Sequence, residues 1–273
     1  MNQAEKLTQK ADNTELVSVP NLIQNSIPEL SKMLGEDEGA AIRFARIITT
    51  DMRTNPKLAN CSPLSLMGAM FTAAELKLEP VNGRAYILPF DNKRKIDGQW
   101  KTITEAQFVL GYKGIVDLFY RHASALSLQW GVVHKNDHFE FSKGSENYLN
   151  HRRGFEERGE KIAYWVGAKV NGEFLFEVMS YDECIEHGHK HSKSSYKGKF
   201  NDSSPWIKSE DSMCLKTVLI QLSKTLPLSV EIQRALQADE TTRHVPVQFD
   251  VNTDQILELP DQTNWEKDEP DEV

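Results

Sequence analysis

Residues 162–179 read IAYWVGAKVNGEFLFEVM. Two apolar runs rich in β-branched and aromatic residues flank Asn171-Gly172. A two-residue Asn-Gly link between such runs is the strongest short-range signal for a β-hairpin, because both residues tolerate the positive φ of the tight turn. This segment commits the chain to antiparallel sheet. Upstream, Leu126 to Lys135 alternates as a further strand, and Arg84 to Phe90 and Thr102 to Leu110 read as two more. A polar loop with Lys93-Arg94-Lys95 and an Asp97-Gly98 turn signal separates that pair.

Helical patterns lie on either side of the strands. After Pro20, residues Leu22, Ile23, Ile27, Leu30 and Leu34 share one side. A second helix is predicted from about Glu38 to Thr54, ended by Asn55-Pro56. The clearest begins with Ser62 as N-cap and Pro63 at the first helical position. Met67, Met70, Phe71, Ala74 and Leu78 then form one buried stripe, which Pro80 closes. Gly111-Tyr112-Lys113-Gly114 breaks the second strand and leads into a short helix. Residues 187–205 are rich in Ser, Gly, Lys and His and read as a mobile basic loop. A long helix follows from about Pro205 to Leu226, with Leu215, Val218, Leu219, Leu222 and Leu226 buried and Pro227 at its end. The order of elements gives an α+β fold with a mostly antiparallel sheet and packed helices, not an alternating α/β chain. Residues 1–19 read as a disordered leader, 20–60 as a helical N-terminal region, 61–238 as the core and 239–273 as an acidic, disordered tail.

The charge is divided unevenly. The 273 residues carry a net charge of −8, but from Asp239 onward eleven acids face only Arg243 and Lys267, so that segment holds −9 and the rest +1. Any positive surface is therefore local. No apolar run is long enough to span a membrane, and no secretory signal opens the chain. Cys61, Cys184 and Cys214 lie far apart, which suggests neither a zinc site nor a disulfide framework and fits a cytoplasmic location.

Several chemistries lack their signatures. There is no phosphate-binding Gly-x-x-x-x-Gly-Lys-Ser/Thr loop, no Gly-x-Ser-x-Gly elbow, no His-Glu-x-x-His and no calcium loop. His187, His189 and His191 read as a solvated basic triplet rather than a metal site. What remains is the interleaving of cations with aromatic and apolar residues, the composition of single-strand binders. It occurs in Arg84 to Lys113, in the 187–205 loop and in the helix that starts at Trp206. Candidate contacts are Arg84, Tyr86, Lys93, Arg94, Lys95, Lys101, Tyr112, Lys113, Arg121, Trp206, Lys208, Lys216 and Lys224. Tyr86, Tyr112 and Trp206 are the candidates for stacking on bases; the bland alternative for each is core packing. Gly111-x-x-Gly114 is either a plain strand-to-helix turn or a phosphate cradle, with Lys113 beside the free N–H groups of a helix start.

Four blocks in order resemble the RecT/Redβ family of phage single-strand annealing proteins, the RecT branch in particular. They are PLSLMGAMFTAAELKLEP from Pro63 with Arg84-Ala85-Tyr86-Ile87-Leu88-Pro89-Phe90, then QFVLGYKGIVDLFYR (107–121), GEFLFEVMS (172–180) and WIKSEDSMCLKTVLIQLSKTLPLS (206–229). The resemblance covers roughly residues 20–238. It implies binding of single-stranded DNA, annealing of complementary strands without ATP, and assembly into rings or filaments, with residues 20–60 as the expected subunit contact. It also implies work beside a phage 5′→3′ exonuclease; the acidic tail is either a solubilising extension or a docking segment for that exonuclease or a host single-strand-binding protein. No covalent chemistry, cofactor or membrane contact is expected, and the magnesium requirement stays open. Gln221 and Ser223 stand where the family often has a second basic residue, so Lys216 and Lys224 are the better phosphate contacts on that helix. The alternatives are a metal-dependent nuclease and a module that coats DNA only to recruit other proteins.

Overall fold

A computed structural model describes residues 19–239, apart from 97–98, 193 and 227–229. The leader (but for Val19), the tail after Asp239, the Asp97-Gly98 turn and the stop at Pro227 lie outside the described residues.

Three helices open the described chain: α1 (Val19–Asn25), α2 (Ile27–Met33) and α3 (Glu38–Thr54). The Asp37 side chain caps α3 by accepting from Ala40 N, and Asn55 leads directly into a short α4 (Pro56–Ala59). In α5 (Pro63–Glu75) the Ser62 side chain accepts from Ser65 N, as its place before Pro63 predicts. Every residue of α5 from Ser65 to Ala74 is buried, so the expected single stripe is a helix covered on all sides. Its small residues make this possible: Gly68, Ala69, Ala73 and Ala74 let neighbouring backbones come close. The buried residues of α1 to α4 belong to the same hydrophobic cluster as those of α5 and the later elements, so residues 20–60 share one core with the rest.

The first hairpin is longer than its apolar runs. β1 (Ala85–Ile96) pairs with β2 (Gln99–Leu110) in unbroken antiparallel register, from Ala85 opposite Leu110 out to Lys95 opposite Trp100. Lys93, Arg94 and Lys95 are therefore strand residues, not loop residues. The apolar run ends at Phe90, and the outer half of this hairpin carries no buried side chain but Glu105, so hydrophobic pattern does not announce it. Its inner half is rooted by Ala85, Ile87, Ala106, Phe108 and Leu110 against α5. The Ser65 hydroxyl accepts from Ala106 N and Ser62 N donates to Thr104 O, both at 2.9 Å, which stitches the start of α5 to β2.

After α6 (Tyr112–Tyr120) comes a three-stranded antiparallel sheet in the order β3 (Ala125–His134), β6 (Lys161–Val170), β7 (Glu173–Ser180). The Asn171-Gly172 turn joins β6 to β7 with φ of +51° and +87°, the conformation that this dipeptide predicts. Tyr164, Val166, Ala168 and Val170 face the main core. On the other face Ala163 and Trp165 pack with Val133, Val178, Phe139 and Leu149. The last two belong to a hairpin absent from the sequence reading, β4 (His138–Ser142) with β5 (Tyr148–Arg152), folded over the sheet like a flap.

The expected mobile loop at 187–205 is mostly structured. Helix α7 (Tyr181–His191) runs through the histidines, opened by a reciprocal capping box between Ser180 and Glu183. The two bonds from Ser180 hold the Glu183 carboxyl below its usual range. The basic texture at His189, Lys190 and His191 is that of a helix's last turn, where cations meet the negative end of the dipole. His187 and His191 lie one turn apart with ring centroids 4.4 Å from each other. A two-rung hairpin follows, β8 (Ser195–Tyr196) with β9 (Lys199–Phe200). The long helix then divides into α8 (Pro205–Lys208) and α9 (Glu210–Thr225), because Ser209 adopts φ −145° and ends the first turn. Leu215 is only half-buried; Cys214, Thr217, Val218, Leu219 and Leu222 carry the inner face. A last helix, α10 (Val230–Asp239), packs on β2. Asp239 therefore belongs to the fold and not to the tail.

Candidate nucleic-acid interface

The junction of β1, β2 and α6 gathers four of the candidates. Gly111 N donates to Arg84 O at 2.9 Å, and Gly111 is the uncapped N-cap of α6. A Cβ on Gly111 would collide with Gly83 O, and one on Gly114 with Arg84 O. The two glycines thus serve close packing of the helix start against the strand entry. That packing leaves the intervening Tyr112 and Lys113 exposed beside Arg84 and Tyr86. Tyr86 is 46% exposed, and its hydroxyl and the Lys113 stem both lie over Gly83, 3.3 and 3.6 Å from where a Cβ there would stand. Gly114→Ala should lower stability by about 1–2 kcal/mol, because the helix start must shift off Arg84. A thermal melt checks this, and oligonucleotide binding should weaken with it.

Charge at this junction is balanced on one acid. Asp117 lies 3.0 Å from Arg121 and 3.8 Å from Arg84. The guanidinium of Arg121 also donates to Leu76 O at 2.7 Å and to Lys77 O at 2.9 Å. Arg121 thereby satisfies the carbonyls at the end of α5 and works as a clamp between helices, not as an outward cation.

Along the hairpin, facing residues share a side. Tyr86, Leu88 and Lys101 lie on the outer side. Arg94 stands opposite Lys101, but its guanidinium donates to the buried Glu105 at 2.8 Å, which also takes Asn92 at 2.6 Å. Arg94 is thus a structural partner. Lys93 and Lys95 project from the other side beyond the core, next to Trp100, which is 60% exposed. Trp100 escaped the sequence reading, although a tryptophan between Gln99 and Lys101 in a polar stretch was a usable signal.

The remaining candidates fare differently. Trp206 does not offer a face to bases: it is 5% exposed, its ring lies against Gly188, and Phe200 stacks on it at 5.4 Å. Its reading as a stacking residue is corrected to a core one, and His189, stacked on Phe200 at 4.0 Å, completes the pile. An exposed aromatic in this region is instead Tyr196, with Lys197 over its ring. Lys208 is exposed on α8, which packs on α9. Lys216 is largely enclosed and paired with Asp239 at 3.1 Å. Lys224 is exposed two turns further along α9, about 12 Å on.

A second polar site lies outside every expectation. Asp137, after β3, is fully enclosed and accepts from His134 N, Gly154 N, both Nε and Nη2 of Arg158, and His151 Nε2. Trp165 Nε1 donates to His151 Nδ1 at 2.9 Å, which leaves the Nε2 hydrogen for Asp137. The Arg158 bonds hold the Asp137 carboxyl far below the usual carboxylate range. This knot ties the flap and the 153–160 segment to the sheet. It is architecture: each donor is already committed. Among the described residues, no three His, Cys, Asp or Glu side chains gather as metal ligands, and no helix is long and apolar enough to cross a membrane.

Fold and surface together define an α+β protein with a rooted, cation-bearing hairpin and an exposed tyrosine–lysine–arginine junction at its base. Residues 43–255 match the RecT family, and the chain is 33% identical to protein RecT of Escherichia coli (strain K12) over 88% of its length and 84% of that protein's. It is also 26% identical to the uncharacterized protein YqaK of Bacillus subtilis (strain 168), over 93% of this chain and 82% of that one. The chain belongs to the RecT family, a family of recombination-associated annealing proteins.

Proposed function

We propose that the chain holds single-stranded DNA along the outer side of the β1–β2 hairpin and anneals it to a complementary strand without ATP. The observation that carries this reading is the convergence of Arg84, Tyr86, Tyr112 and Lys113, exposed around the Gly111–Gly114 junction. Lys113 and the first N–H groups of α6 grip phosphate, while Tyr86 and Tyr112 offer rings to one or two bases. Lys101 extends the cationic surface toward the hairpin tip, Lys93, Lys95 and Trp100 offer a second patch on the hairpin's other side, and Lys224 adds a cation from α9. Two polyanions approach each other more readily when local cations release their condensed counterions. The protein does not read sequence; base pairing does.

Assembly of many copies along one strand belongs to the same proposal, because tethered weak contacts gain by effective concentration. Arg46 and Arg53 of α3 are exposed while Arg43 pairs with Glu79, and residues 20–60 are the proposed subunit contact. Partnership with a 5′→3′ exonuclease rests on family membership alone, and that with a host single-strand-binding protein on the acidity of the tail. The test mixes two complementary dye-labelled oligonucleotides with the protein, without nucleotide, and follows pairing and strand length together. Faster pairing of intact strands is expected. Strands that shorten in magnesium indicate a nuclease, and tight binding without faster pairing indicates a coating module.

A further inference from the structure

The acidic end of the chain begins on a bond. Asp239 is the last residue of α10; its Oδ1 accepts from Leu110 N at 2.7 Å and its Oδ2 from Lys216 Nζ at 3.1 Å. Only 16% of either side chain of the ion pair meets solvent. The position is electrostatically awkward: a carboxylate at a helix C-terminus faces the negative end of the dipole, and α10 has no basic residue in its last turn. What holds the charge there comes from outside the helix. A backbone N–H and an ammonium, carried by β2 and α9, both point at one two-oxygen anion. They are the donors a phosphodiester takes, and Leu110 directly precedes Gly111 of the junction.

We propose that Leu110 N–H and Lys216 form a phosphate subsite which Asp239 fills in the free protein, and that a phosphodiester of the bound strand takes the carboxylate's place. The proposal rests on the single-strand-binding reading above. Ile232 and Ala235 are buried at least one turn before Asp239 and anchor the helix, while Leu236 and Ala238 in the last turn are only partly buried against the core, so release of Asp239 needs a shift of that turn alone. One anion leaves as another enters, so the subsite is never without a counter-charge. Occupancy by Asp239 lowers the apparent affinity by the fraction of molecules in which the subsite is taken.

The test measures binding of a labelled oligo(dT) to the full chain across a salt series. Asp239→Asn keeps the shape and removes the charge. It should tighten binding roughly three- to tenfold and leave the slope of log K against log salt unchanged, because the same phosphate contact forms in both chains once the strand is bound. In a Lys216→Met background the same substitution should not tighten binding. Unaltered affinity, even with a lowered melting temperature, would reduce the contact to helix docking and overturn the proposal, as would a gain that persists without Lys216. If the unmodified chain held no oligo(dT) at all, the annealing reading itself would fail, and the subsite with it.

Discussion

Asp137→Ala will lower the stability of the protein by about 3 kcal/mol or more in a denaturant titration at neutral pH. The carboxylate is the shared acceptor of five donors from β3, β5 and the 153–160 segment. Its removal leaves the largely enclosed Arg158 guanidinium without its counter-charge, and removing one partner of an enclosed pair is worse than never having had the pair. It also orphans the His151 Nε2 hydrogen, while Trp165 continues to occupy Nδ1. The same residue makes stability pH-dependent. Its carboxyl is held far below the usual carboxylate range in the folded state, chiefly by Arg158. In the unfolded chain it titrates near 4. The folded state therefore binds fewer protons, and the contribution is complete above about pH 4 and shrinks as the pH falls below it. Asp137→Ala should flatten the acid limb of the stability curve; an unchanged acid limb would mean that the knot does not carry this charge.

Tyr86→Ala combined with Lys113→Ala will weaken binding of single-stranded DNA roughly a hundredfold at moderate salt. Loss of a stacking ring removes about 1–3 kcal/mol per base, and loss of the lysine removes one phosphate contact. Both side chains are exposed, so the melting temperature should hold, and the loss is then one of contact and not of fold. Annealing should slow in parallel. A loss under about threefold, with the fold intact, would move the interface away from this junction.

The sequence was most informative where local chemistry decides the backbone. Asn171-Gly172, the Ser62 cap before Pro63 and the span of α3 all stand as read, because a turn or a cap is specified within four residues. It was least informative where tertiary packing decides. The outer hairpin has no buried run to announce it, yet it extends to Lys95 and Trp100 through paired backbone alone. The flap of β4 and β5 is half polar on its outer side and owes its place to Asp137, whose partners lie up to 21 residues away. In the candidate site, residue type pointed correctly to cations and aromatics but could not separate outward from inward ones. Tyr86, Tyr112 and Lys113 emerge exposed, while Trp206 is sealed by Phe200 and Gly188, and Arg94 and Arg121 are spent on Glu105 and on the end of α5. The basic texture of 187–191 misled for a definite reason: the last turn of a capped helix has the same composition as a solvated loop.

The central claim is that the junction grips the sugar–phosphate chain and leaves base identity unread. Its most direct test is the salt dependence of binding by Lys113→Ala, measured on oligonucleotides of several unrelated sequences. The account predicts a slope of log K against log salt shallower by about 0.7 and an equal loss of affinity for every sequence. An unchanged slope, or a loss confined to one sequence, would contradict it.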